Sequence, residues 1–87
     1  MTSRELLTFL IKELVSNPDQ VTVEEKHDDR GTLLVVNVAP EDRGTIIGKQ
    51  GVNANAIRQI LAIVGHKHGE SIGMSIDPGR EFSYGRP

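Results

Sequence analysis

Ile46-Ile47-Gly48-Lys49-Gln50-Gly51 runs directly into an apolar repeat of helical spacing, and this junction constrains the chain more than any other stretch. Two glycines three apart let the backbone turn tightly and leave no Cβ between it and an approaching group. Both residues between them are long and polar. The inward positions after the loop, Ala54, Ile57, Ile60, Leu61 and Val64, predict a helix from about Val52 to Val64 that Gly65 ends. A loop joining two helices in this way aims backbone N–H groups and one helix N-terminus at the same point, which suits a phosphate. A bare GxxG pattern occurs by chance in many chains; its specificity here comes from the apolar pair before it and the helix after it.

The rest of the chain supplies the other elements of a small α+β domain. Thr2 and Glu5 have capping-box spacing, and Leu6, Leu7, Leu10, Ile11, Leu14 and Val15 share one side of a helix that stops at Asn17-Pro18. At Gln20 the apolar period changes to two, with Val21 and Val23 alternating against Thr22 and Glu24 up to the turn Asp28-Asp29-Arg30-Gly31. This predicts a hairpin whose second strand, Leu33 to Val38, is apolar enough to be central in a small sheet, with a shorter and wetter mate before it. Pro40 opens a short second helix, with Glu41 and Asp42 near its positive end. Ile72, Met74 and Ile76 alternate as a last strand, weakened by Gly73. The predicted order is α-β-β-α-α-β, a three-stranded sheet with three helices on one face, in a single domain over residues 1–77. Residues 78–87, with no apolar period, are expected to form a flexible tail.

Charge is distributed unevenly. The net charge is -2, yet residues 1–42 hold nine acids against four bases, whereas residues 43–68 hold Arg43, Lys49, Arg58 and Lys67 and no acid. A local basic patch of this kind can hold a few phosphates while an acidic remainder suppresses non-specific adsorption. Without cysteine there is no disulfide framework or thiolate site, so a reducing, cytoplasmic setting is expected. The apolar run Leu6 to Val15 is interrupted by Lys12 and Glu13 and is far shorter than the ~20 residues that cross a bilayer, so no membrane association is expected.

Catalytic and metal chemistry find no support in the residue pattern. A Walker loop needs four residues between its glycines and then Gly-Lys-Ser or Gly-Lys-Thr; Gly44 to Gly48 encloses three, and Gln50 stands where the hydroxyl would be. His66 and His68 near a helix end, with His27 distant, lack the cysteines or clustered carboxylates of a metal site. No nucleophile with an orienting base can be recognised. The chain is read as a non-enzyme with no cofactor and no metal.

Ile46-Ile47-Gly48-Lys49-Gln50-Gly51, followed by Ala54, Ile57 and Ile60, resembles the signature of KH domains, and the element order resembles their type II arrangement. Asn17-Pro18-Asp19, the strand Leu33 to Ala39, Ala39-Pro40-Glu41-Asp42 and Ile57-Arg58 extend the likeness, over about residues 3–77, to the KhpA family of small bacterial single-KH proteins. That resemblance implies a type II KH fold and a cytoplasmic RNA chaperone or post-transcriptional regulator. It also implies a homodimer, or a heterodimer with a larger KH-containing protein of the KhpB or Jag type.

On this reading Gly48 and Gly51 admit a sugar-phosphate backbone, Lys49 supplies a point charge to a phosphate, and Gln50 hydrogen-bonds a phosphate or sugar oxygen of single-stranded RNA. Ile46, Ile47, Ala54 and Ile57 are candidates for an apolar groove floor, Ile57 being shared with the core. Arg43, Asn53 and Arg58 complete the candidate RNA-binding set. With only Phe9, Phe82 and Tyr84 as aromatics, extensive base stacking is not expected. The competing reading is a protein-interaction or dimerisation module whose glycine loop is only a structural turn, with Phe9, off the main apolar stripe of the first helix, as an exposed contact.

Overall fold

Thr2 opens the first helix as the capping-box spacing requires: its hydroxyl accepts from the Glu5 N–H at 3.1 Å, and the Glu5 carboxylate accepts from the Thr2 N–H at 2.8 Å. In the computed structural model, which describes residues 1–76, this helix, α1, spans Ser3–Leu14 and buries Leu7 and Ile11. Helix α1 ends three residues before Asn17-Pro18, and Val15 leaves it in an extended conformation. Pro18–Gln20 then makes one 3-10 turn into the sheet.

Strands β1 (Thr22–Asp28) and β2 (Gly31–Asn37) pair antiparallel, with Asp28 opposite Gly31, so that Asp29-Arg30 is the two-residue connection. β1 is as long as β2, not shorter; the pairing carries it through Lys26, His27 and Asp28, whose polar side chains had disguised a strand. Strand β3 (Ile72–Ile76) adds parallel to β2 on the other side, giving the order β1-β2-β3. Central placement explains the apolar run of β2: Thr32, Leu33, Leu34 and Val36 are all buried, on both faces of the strand.

After β2, Pro40–Asp42 turns once as a 3-10 helix and leads into α2 (Arg43–Ile47). The glycine loop follows, and α3 (Val52–His68) then runs back toward β3. One core joins the helices to a single face of the sheet: Leu7 and Ile11 from α1, Ile46 from α2, and Ala54, Ile57 and Leu61 from α3 pack with Val21, Val23, Leu34, Val36, Ile72 and Met74. The observed order is therefore α-β-β-α-α-β, and the α+β architecture is as expected.

Two expectations about α3 are corrected. It does not end at Gly65 but continues to His68, where Gly69, at φ 74, terminates it. The Glu70 N–H bonds the Gly65 carbonyl at 2.8 Å and the Gly69 N–H bonds that of His66 at 3.2 Å, the paired bonds of a Schellman stop. Gly65 lies inside the helix because the chain leaving it folds straight back: a Cβ there would sit 2.5 Å from the Glu70 carbonyl oxygen and 3.1 Å from Ile72 Cγ1. Ile60 is the second correction. It is exposed rather than inward-facing, because Ala54, Ile57, Leu61 and Gly65 already form the buried stripe. The predicted 78–87 tail lies outside the described residues.

Candidate nucleic-acid interface

Five-residue α2 is too short to hold its own shape, so its position is set by what packs against it and by what stops it. Ile46 anchors it, fully buried in the core. At its start Asp42 acts as a pin. Its carboxylate is buried and accepts from the Ser16 N–H at 3.0 Å, the Asn17 N–H at 3.1 Å and the Asn17 side-chain amide at 3.0 Å. The Ser16 N–H is the main cause that holds the Asp42 carboxyl below its ordinary value; burial opposes it, and the two Asn17 donors add to the lowering. Expected only to sit near the positive end of α2, Asp42 in fact ties that end to the exit of α1. Glu41 adds a weaker bond, accepting from the Asn17 amide at 3.2 Å.

At its other end α2 stops at Gly48, whose φ of 76 and ψ of 172 no residue with a side chain adopts readily. Lys49–Gly51 makes one 3-10 turn, closed by the Gly51 N–H on the Gly48 carbonyl at 3.1 Å. Gln50 occupies the left-handed region at φ 58, the one non-glycine described residue to do so, and Gly51 follows at φ 79. The chain then enters α3 with no side chain capping its N-terminus. The orphan N–H groups of that first turn and the positive end of a 17-residue helix therefore lie beside the loop.

Lys49 and Gln50 are exposed, and among the described residues neither side chain forms a hydrogen bond or ion pair. Arg43, at the start of α2, is half-buried and likewise unpaired among the described residues. Arg58 is committed differently from the expectation of a free base: its Nε donates to the Met74 carbonyl at 3.2 Å and one terminal nitrogen reaches Asn55 Oδ1 at 3.5 Å. That bond ties α3 to β3, which is the last strand of the sheet. Arg58 thus links α3, which begins at the end of the glycine loop, to β3.

The proposed apolar floor is largely core. Ile46, Ala54 and Ile57 are 0%, 3% and 6% exposed and pack inward, because they are the residues that hold α2 and α3 on the sheet. Ile47 is half-buried beside Gly48 and is the member of that set that retains partial access. Asn53 is exposed, but its side-chain amide turns back and donates to the Thr45 carbonyl at 2.8 Å.

The chain was also compared with known proteins. A family model described as the KH domain of KhpA/KhpB matches residues 4–76. The RNA-binding protein KhpA of Caldanaerobacter subterraneus is 47% identical over 57 residues, covering 66% of this chain and 76% of that protein. The protein of the same name from Clostridium acetobutylicum is 38% identical over 73 residues, covering 84% and 97%, and that from Streptomyces coelicolor is 41% identical over 61 residues, covering 70% and 77%. No solved structure matches.

Proposed function

This chain belongs to the KhpA/KhpB family of KH domains, a binding module and not an enzyme class, and we propose that it binds single-stranded RNA by gripping the sugar-phosphate backbone at Gly48–Gly51. The observation that carries this reading is the loop itself. Two glycines keep its backbone bare, Lys49 and Gln50 stand exposed without partners among the described residues, and an uncapped 17-residue helix starts at its end. A phosphate placed there meets backbone N–H groups, a helix dipole and an ammonium together. Its neighbour along the strand would lie toward Ile47 and the side of α3 that Arg58 joins to β3, where a base has partial apolar cover. The relatives' name, RNA-binding protein, agrees with this reading.

The role in the cell follows from the chemistry of such a grip. Contacts made mainly to phosphate and sugar carry little sequence information, so one domain binds weakly and broadly, as suits an RNA chaperone or post-transcriptional regulator in the cytoplasm. No helix among the described residues is long and apolar enough to cross a membrane. A second, protein-directed surface is favoured by the outer side of α3, where Val52, Ile60 and Ile63 are exposed, and we assign it to pairing with a second copy or with a larger KH-containing protein.

The test replaces Lys49 and Gln50 together with Asp. Both glycines stay, and exposed substitutions of this kind change stability by no more than about 0.5 kcal/mol. Melting should match the parent while affinity for short single-stranded RNA collapses, by a similar factor for every sequence. In the parent, log affinity against log salt should fall with a slope of roughly -2, from about -0.7 for each of some three neutralised phosphates. A variant that melts and binds like the parent would reduce the glycine loop to a structural turn.

A further inference from the structure

Asn53 lies in the first turn of α3, exposed, where a sequence reading would give its amide to a ligand. The structure turns it the other way. Its side-chain nitrogen donates to the Thr45 carbonyl across the whole loop, a separation of eight residues. Thr45 is two residues from the end of α2, and the N–H that would satisfy its carbonyl in a longer helix belongs to Lys49, which the turn at Gly48 carries away. Asn53 supplies the missing donor from the next helix.

The same side chain also lies against Gly48. A Cβ built on Gly48 would stand 2.7 Å from Asn53 Cγ, 2.8 Å from Nδ2 and 2.9 Å from Cβ. Gly48 is bare, then, on the side that Asn53 occupies, and not only for the sake of a ligand. Between these two residues Gln50 is held in the left-handed region, a conformation that a non-glycine residue keeps only when its surroundings impose it. The Asn53–Thr45 bond spans the segment in which Gln50 sits.

We propose that Asn53 is a positioning residue for the glycine loop: its amide joins the end of α2 to the start of α3 and so fixes the backbone N–H groups and Lys49 in the arrangement that receives a phosphate. This rests on the reading of the loop as an RNA backbone clamp. It separates the candidate site into residues that touch the strand, Lys49 and Gln50, and one that acts through the loop. An uncharged side chain without a donor should loosen the loop yet leave the phosphate contacts in place.

The experiment compares Asn53→Ala with the parent, first without RNA. The Gly48 N–H bonds the Gly44 carbonyl and the Gly51 N–H bonds that of Gly48, so their hydrogen exchange reports loop closure directly. In Asn53→Ala both amides should exchange about tenfold faster, while Leu34 and Leu61 in the core keep the parent's protection. Asn53→Asp is the second variant. A carboxylate in the first turn of a helix supports folding but cannot donate to Thr45, so exchange at Gly48 and Gly51 should rise without a fall in Tm. Affinity of Asn53→Ala for a short random-sequence single-stranded RNA should drop about five- to tenfold with the parent's salt slope unchanged, since no charge contact has been removed. Unchanged loop exchange in both variants overturns the proposal, and if affinity falls all the same, Asn53 touches RNA directly. A parent that binds no RNA would defeat the clamp reading alone, because the exchange comparison is made on the free protein.

Discussion

Asp42 shows how much a single carboxylate can fix in a domain of this size. Three donors from Ser16 and Asn17 converge on it, joining the exit of α1 to the entry of α2, and with it the approach to the glycine loop. Because those bonds lower its folded-state pKa from the ordinary 3.8, the native state binds this proton later on acidification than the unfolded chain does. Its contribution is therefore complete above the unfolded value and is lost as pH falls through the lower, folded one. Asp42→Asn keeps the shape but replaces one acceptor oxygen with a donor facing an N–H group, so Tm at neutral pH should fall. The difference between parent and variant should narrow as the pH is brought below about 3.8. Thermal melts of both proteins across the acid range check this, and a constant gap at every pH would show that the charge of Asp42 contributes nothing. The sequence had shown Asp42 only as an acid near a helix start; its partners lie 25 and 26 residues away, and no local pattern announces a bond of that span.

At the scale of elements, the legible parts were those whose signal is local and periodic. The capping box, the alternation around Val23, the apolar density of β2 and the glycine loop each follow from residues within a turn or a strand of one another. What escaped was decided by contacts between elements. Gly65 looks like a helix stop, yet it sits one turn before the stop, because Glu70 and Ile72 cross against it on the way into β3. Ile60 fits the helical period but falls outside the arc that Ala54, Ile57 and Leu61 fill. Among the candidate site residues, Lys49 and Gln50 stand exposed as read, whereas Ile46 and Ala54 are taken up by the core and Asn53 and Arg58 by backbone carbonyls. The Gly65 packing makes a direct prediction. Gly65→Ala would gain helix propensity, about 1 kcal/mol in an open position, but its Cβ would press on a backbone oxygen at 2.5 Å that cannot move without disturbing the Schellman stop. Overpacking of this kind costs about 1–3 kcal/mol, so a net loss of stability is expected. Denaturant unfolding measures it, and a variant at least as stable as the parent would mean that the helix end is looser than the geometry implies.

For the whole molecule, the two faces of α3 differ in character. Ala54, Ile57, Leu61 and Gly65 bind it to the sheet, and Val52, Ile60 and Ile63, at 59%, 42% and 70% exposure, cluster on the opposite side. Three large apolar side chains along one side of a long helix are a candidate contact surface. Pairing there would also offset the weakness of the proposed single backbone grip. Two glycine loops held in one particle turn the second binding event into an intramolecular one, and the gain comes from effective concentration without any new contact. The protein should therefore sediment as a dimer at micromolar concentration, or co-purify with a second KH protein. Ile63→Asp should convert it to a folded monomer: the side chain is exposed in the single chain, where the change costs only about 0.5 kcal/mol, and any further fall in Tm should be the concentration-dependent stabilisation that pairing gives the parent. The monomer should bind a short RNA as the parent does, but lose affinity for a strand long enough to reach both loops. A parent that sediments as a strict monomer and brings down no protein partner would remove the pairing, and with it the reason for α3 to keep those three residues in water.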